Sequence, residues 1–303
     1  MNKALRIGTR DSALALWQAE TLQERLLELG INATLNPIKS EGDLNLEQPL
    51  YAMGITGIFT KTLDIALLNK DIDIAIHSMK DVPTKLPKGI VQAAVLERGP
   101  VNDVMVWKNN NAPQKKQRTI ATGSLRRKAQ WLRQHPKDAV VPLRGNIQTR
   151  LKKLQQEEWD GAIFAQAALE RLEIHQELVE PLQLVAAPAQ GALMVVCRLE
   201  DESIAQQLTL LNDRSAELCT QVERDFLSTL EGGCTAPIGA YAYCEGENIH
   251  FSGGLYSLEG GEAQEIQRSF AKKEAAVMGG VLAKELLQNG GDKLMKEFKK
   301  NHA

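Results

Sequence analysis

No run of about 18 apolar residues occurs in this chain, and the opening Met1-Asn-Lys-Ala-Leu-Arg-Ile-Gly8 has no apolar signal core. Neither a membrane span nor export is expected, and the cytoplasm is the expected compartment. Net charge is nearly absent: 36 Lys and Arg stand against 38 Asp and Glu, a formal −2. That balance argues against a nucleic-acid partner, because phosphate neutralisation needs a basic surface or a basic domain. Cysteine is scarce, and Cys197, Cys219, Cys234 and Cys244 show neither CxxC nor zinc-ligand spacing. In a reducing compartment each is expected to be a thiol. The five histidines form no pair at helical ligand spacing, so no histidine-rich metal site is expected, while Asp/Glu oxygen sites stay open. The phosphate-cradling pattern GxxxxGK[ST] and the dinucleotide pattern GxGxxG are both missing, which weakens nucleotide chemistry.

What is present is an ordinary globular composition, 43% apolar over 303 residues, too long for one hydrophobic core. Two or three domains are expected. Short β-branched runs alternate with helical patterns: strand 4–8, helix 13–29 closed by Gly30, strand 31–39, helix 59–69, strand 71–76. This β-α alternation predicts a parallel sheet. Leu44 to Gly57 has no periodicity and reads as a mobile loop. A second α/β unit follows a turn-rich crossing at Glu97 to Asp103, with strands at 104–107, 118–121, 139–143 and 160–165. Asn109 to Gln117 reads as a polar connection whose Lys115 and Lys116 lie in solvent. The apolar run Ala192 to Leu199 can return to the first sheet, with Cys197 in the core. The remainder, from a broken helical stretch at 204–230 onward, predicts a small α+β domain.

The most informative stretch is His77-Ser78-Met79-Lys80-Asp81-Val82-Pro83, directly after the buried run Asp71 to Ile76. In open α/β sheets ligands bind where strands end. Pro83 disfavours helical backbone at Val82, so Asp81 is expected in an extended turn. The plain alternative is a solvated Lys-Asp pair. Arginines recur at similar junctions: Arg10 before the first helix, Arg126 and Arg127 in the first turn of a helix that Ser124 can cap, and Arg144 before a helix carrying Arg150. A cation at a helix N-terminus opposes the helix dipole, so its presence suits a nearby anion. Each alone is an ordinary surface residue, but together they predict a cleft between two α/β domains for a polycarboxylate or unusual phosphate ligand. Finally, Cys234 follows two glycines and precedes Thr-Ala-Pro237, a loop open to close approach. The plain alternative is a thiol filling a small gap.

Seven segments occur together: Thr9-Arg10-Asp11-Ser12, His77 to Pro83, Ser124-Leu-Arg-Arg127, Leu143-Arg-Gly-Asn146, Thr149-Arg150-Leu151, Gln190-Gly191-Ala192 and Leu230-Glu-Gly-Gly-Cys234. In this order they resemble the porphobilinogen deaminase (hydroxymethylbilane synthase) family nearly end to end. The resemblance implies two α/β domains like periplasmic binding proteins and a small α+β third domain. Its boundaries would be 1–97 with 191–213, then 98–190, then 214–303. It implies a transferase of heme biosynthesis that adds porphobilinogen units, with loss of ammonia, to a dipyrromethane cofactor held by Cys234, and then releases hydroxymethylbilane. Asp81 would be catalytic, stabilising the cationic azafulvene and assisting proton transfer. Lys80, Ser78, Asp81, Thr122, Ser124, Arg126, Arg127, Arg144 and Gly145 would bind the cofactor, and Arg10, Ser12, Arg150, Arg171 and Gln190 the substrate. A monomer is expected, with no metal, nucleic acid or membrane. The chain departs from the family pattern at Ala52 and Thr56, where lysines are frequent, and at Gly123, Ala189 and Thr235. A binding protein of the same architecture would keep the arginines but have no use for Asp81 or a loop thiol, and a phosphoryl transferase would need a phosphate-cradling loop.

Overall fold

The computed structural model describes residues 4–39, 60–230 and 236–302; the 44–57 loop, with Ala52 and Thr56, and the Cys234-Thr235 segment lie outside them. Two units emerge, residues 1–45, 55–99 and 191–217 in one and 46–54, 100–190 and 218–303 in the other.

The first unit is built on a five-stranded sheet. Its strands are β1 (Leu5–Arg10), β2 (Ala33–Ile38), β3 (Ile74–Ser78), β4 (Ile90–Val95) and the returning β10 (Leu193–Arg198), in the order β2-β1-β3-β10-β4. β1 runs parallel to both β2 and β3, whereas β10 is antiparallel to β3 and β4. Helix α1 (Ala13–Glu28) buries Ala15, Ala19, Leu22 and Leu26 at helical spacing, and Ala19, Leu22 and Leu26 join the core formed with Ile7, Ile74, Ile76 and Val195. Gly30, at φ +75, ends the helix as expected. Helix α2 (Lys61–Leu68) packs against β1 and β3. Cys197 is fully buried in the core.

The second unit carries two sheets. The five-stranded one comprises β5 (Asp103–Trp107), β6 (Thr119–Ala121), β7 (Ala139–Val141), β8 (Gly161–Ala165) and β9 (Val179–Leu182), in the order β7-β6-β8-β5-β9. β6 is parallel to β7 and β8, and β5 antiparallel to β8 and β9. Helices α3 (Leu125–Gln134), α4 (Ile147–Gln156) and α5 (Gln166–Arg171) follow β6, β7 and β8. Lys115 is not simply solvated: its Nζ lies 2.5 Å from Asp160 Oδ1, because Asp160 is buried at the strand edge and needs a cation.

The remaining sheet is an antiparallel meander of β11 (Ile238–Glu245), β12 (Asn248–Tyr256) and β13 (Ala263–Ala271). After helix α6 (Glu202–Leu208), helix α7 (Arg214–Thr229) presents Cys219, Val222 and Phe226 to the meander, and the helices Ala275–Leu286 and Asp292–His302 complete the core.

Candidate active site

In the first sheet the chain leaves β1 for β2 on one side and reaches β3 on the other. The carboxyl ends of β1 and β3 therefore frame a crevice, the place where doubly wound sheets bind ligands. Arg10 is the last residue of β1 and Ser78 the last of β3. The chain then makes a single 3₁₀ turn, Met79–Asp81, which corrects the expected extended conformation of Asp81. Pro83 acts where expected, on Val82, which is extended (φ −84, ψ 129), so the turn cannot lengthen into a helix. Arg10, Gln18, Thr60, His77, Ser78 and Asp81 line one pocket. Lys80 shares the turn with Asp81 without lining that pocket, and Ser12 occupies the N-cap position of α1 without a side-chain capping bond.

Gln18 and His77 are among the pocket residues that carried no role in the sequence. Gln18 is buried and donates from Nε2 to Ser78 Oγ at 2.8 Å. Its signal was a polar residue on the apolar stripe of α1. His77 is buried, and its Nε2 has no hydrogen-bond partner among the described residues. Burial first, and the Arg10 charge second, push its pKa down to about 4. The imidazole is thus neutral near pH 7, and Arg10 and Asp81 are the charged side chains among the lining residues.

The second sheet repeats the arrangement: β6 lies between β7 and β8. Here Thr122, Gly123, Ser124, Lys128, Val141 and Arg144 line a pocket together with Leu258 from the β12–β13 turn. No acid is among the described residues that line it, although Lys128 reaches Glu259 at 2.9 Å. Ser124 caps α3 by accepting from Arg127 N, and Asn146 caps α4 by accepting from Thr149 N at 2.9 Å. Gly145 sits at φ +109, where a Cβ would fall 2.7 Å from the Thr149 side chain; only glycine turns the chain here so that Arg150 Nε can donate to the Gly145 carbonyl at 2.7 Å. Arg144 is buried, and desolvation lowers its pKa. Arg171, at the end of α5, is pushed down to about 10 by burial, against the opposing charge of Glu170.

Arg126 and Arg127 do not line this pocket. Both turn inward onto Asp103, at 2.7 Å and 2.8 Å, and all three are buried. Arg127 Nη1 also donates to Ile163 O, and Arg126 Nη1 to Val185 O. Gln190 likewise does not line either described pocket; its Nε2 donates to Asp103 Oδ1 at 2.9 Å and to Val101 O at 2.7 Å. Burial alone would raise the Asp103 pKa, but the two guanidiniums and the Gln190 bond hold it well below the usual carboxylate range. The anion that arginines at a helix N-terminus call for is, in part, supplied by the chain itself.

A family model described as the porphobilinogen deaminase, dipyromethane cofactor binding domain matches residues 5–206, and one described as the porphobilinogen deaminase C-terminal domain matches residues 217–288. Porphobilinogen deaminase of Chloroherpeton thalassium is 36% identical over 100% of this chain and 100% of its own. The protein of that name from Syntrophotalea carbinolica is 38% identical over 97% of this chain and 96% of its own. Among solved structures, the probable amino-acid ABC transporter extracellular-binding protein ytmK of Bacillus subtilis superposes with a TM-score of 0.43 at 12% identity, covering 69% of this chain and 90% of that one.

Proposed function

The chain belongs to the porphobilinogen deaminase family, and from that premise we propose how its residues divide the labour of the reaction. The activity is the polymerisation of porphobilinogen with loss of ammonia on a dipyrromethane cofactor, releasing hydroxymethylbilane for tetrapyrrole biosynthesis. When bound, the dipyrromethane supplies the pyrrole carbon from which the chain of rings grows.

Asp81 is the catalytic group. The observation that carries this role is its place in one pocket with Arg10 and Ser78, at the strand ends where the sheet presents ligands. A carboxylate there stabilises the cationic carbon left as ammonia departs from porphobilinogen and can move a proton to the leaving amine. Arg10 meets the substrate carboxylates. Because Gln18 donates to Ser78 Oγ, the serine hydroxyl keeps its proton for a ligand carboxylate. Neutral His77 keeps a further positive charge away from the developing cation. Lys80, Ser12, Arg150 and Arg171 are assigned to carboxylates of the growing product.

In the second sheet Arg144, Lys128, Thr122 and Ser124 fit the acidic side chains of a dipyrromethane, since cations and hydroxyls meet there without an acid among the described lining residues. Arg126 and Arg127 contribute from behind the pocket: two guanidiniums and one Asp103 carboxylate leave a single net positive charge beneath the N-terminus of α3. Gln190 positions Asp103 within that cluster. Cys234 is the attachment point. The domains are assigned as 1–97 with 191–213, 98–190 and 214–303, in keeping with the sheet to which each segment contributes. No helix among the described residues is long and apolar enough to cross a membrane. A monomer in the cytoplasm, without nucleic acid, completes the proposal, supported by the near-zero net charge and by cysteines with neither CxxC nor zinc-ligand spacing.

The test is Asp81→Asn, which keeps size and removes charge. Turnover should fall at least about 10²-fold, the lower range for an acid-base group. Peptide mapping should still find the pyrrole adduct on Cys234. Near-normal turnover would return Asp81 to a surface pair, and an adduct on another cysteine would overturn the attachment point.

A further inference from the structure

Helix α7 lays an apolar stripe on the meander: Cys219, Val222, Phe226 and Leu230 are all buried. Glu223, one turn beyond Cys219 and fully buried, accepts the Ala242 N–H at 2.7 Å through one carboxylate oxygen and the Ala189 N–H at 2.6 Å through the other. That bond fixes the register of α7 against β11. Two residues after Ala242, on the same inward face of the strand, stands Cys244. The register brings its sulfur to 3.5 Å from that of Cys219. Both side chains are reduced thiols; Cys219 is buried, while Cys244, near the end of β11, is only partly covered.

We propose that Cys219 and Cys244 form a redox modification site, a reversible disulfide between α7 and β11, distinct from the thiol assigned to cofactor attachment. The oxidant is a small hydroperoxide. It reaches the partly covered Cys244 first, whose thiolate attacks the peroxide: an S–O bond forms, the O–O bond breaks, and the oxidant leaves as alcohol or water. The Cys219 thiol then attacks the Cys244 sulfur, forming the S–S bond as hydroxide departs with the Cys219 proton as water. Two thiols lose two electrons and one peroxide gains them. A dithiol reverses the step by exchange. A sulfur already in contact leaves little distance to close, whereas Cys197 lies in the core of a different sheet.

The experiment uses the full-length protein as isolated, reduced, freed of reductant, treated with stoichiometric hydrogen peroxide and digested without reduction. A linked peptide pair joining Cys219 to Cys244 is expected, and it should vanish with dithiothreitol. In Cys219→Ala the oxidation should stop at a Cys244 sulfenic acid that dimedone captures. In Cys244→Ser, Cys219 should stay unmodified because it is buried. Should Cys219→Ala fail to fold, the Cys244→Ser variant carries the test alone. A predominant link to Cys197 or Cys234, or parent protein whose Cys244 reaches sulfinic acid with no link formed, would overturn the proposal. So would a Cys219 that oxidises equally fast without Cys244.

Discussion

The two five-stranded sheets share one plan and put it to different uses. In each, a central strand is parallel to two neighbours, and a fourth strand runs antiparallel beside the third. In the first sheet that antiparallel strand, β10, begins with Leu193 opposite Ser78. In the second it is β5, and it begins with Asp103 opposite Ala165. The corresponding position is thus apolar in one sheet and acidic in the other. With Leu193 at that position, Arg10, Ser78 and Asp81 share a pocket. With Asp103, two arginines are drawn inward and become structure as much as site. One residue at the start of a strand decides whether the charge at a ligand edge faces the ligand or the core.

The sharpest way to break this comparison is to make the second sheet like the first. Asp103→Leu leaves two buried guanidiniums without their counter-ion, and removing one partner of a buried pair costs about 3–5 kcal/mol. Urea unfolding should show a loss of that size. Adding Arg126→Met and Arg127→Leu removes the orphaned charges and should restore most of the stability, because a buried ion cluster and a well-packed apolar one are often close in free energy. Cofactor loading, read by intact mass, should then stay low in the triple variant. If Asp103→Leu alone is as stable as the parent, Asp103 is not the counter-ion and the contrast between the sheets is only one of shape.

A second contrast lies one residue before each strand end, where His77 of β3 corresponds to Phe164 of β8; both are buried. The His77 pKa is pushed down to about 4 from the ordinary 6.5. Below pH 6.5 the unfolded chain binds a proton that the folded chain refuses, so this stabilisation is complete above 6.5 and is lost as pH falls towards 4. The full effect is on the order of 3 kcal/mol. Asp64 works against it: burial raises its carboxyl to about 6, so folding gains as pH falls through the same window. The informative quantity is the difference between parent and His77→Phe. That difference should grow in favour of the variant from pH 6.5 down to 4 and be flat above 7. Parallel pH profiles would mean that His77 is protonated as readily in the folded protein as in the unfolded chain.

What the sequence made legible follows from range. The β3 strand, the turn after it and the capping by Ser124 rest on neighbours within four residues, and each is visible as a pattern. The ion cluster is not. Asp103 stands in a turn-like segment, and its partners lie 23 and 24 residues away, brought near only by strand pairing. Gln190 is 87 residues from the same carboxylate, so its bond to Asp103 leaves no pattern in the sequence, where only the family resemblance gave it a role. Strand β9 escaped notice because Pro181 interrupts a four-residue run, which an edge strand tolerates and a central one does not. The contact between Cys219 and Cys244 leaves no pattern for the same reason: the two lie 25 residues apart.

The smallest effect concerns the segment that delivers Gln190 to Asp103. Ala189 adopts φ +62, a left-handed conformation that costs an L-residue about 1–2 kcal/mol and glycine almost nothing. Ala189→Gly relieves that strain, but two terms oppose the gain. Glycine loses more backbone freedom on folding, roughly 0.5–1 kcal/mol, and the fully buried methyl contributes about 0.8 kcal/mol that would be given up. The terms nearly cancel, so the variant should lie within about 0.5 kcal/mol of the parent, a shift in Tm of no more than about 2 °C. Ala189→Val should behave differently, since a β-branched residue fits neither the positive φ nor the closed space, and the Ala189 N–H would move off Glu223. A gain above about 1 kcal/mol in the glycine variant would show that the methyl packs poorly. In that case the segment is strained in the parent, and the register of Gln190 on Asp103 is maintained against that strain by the Glu223 bond rather than by packing around Ala189.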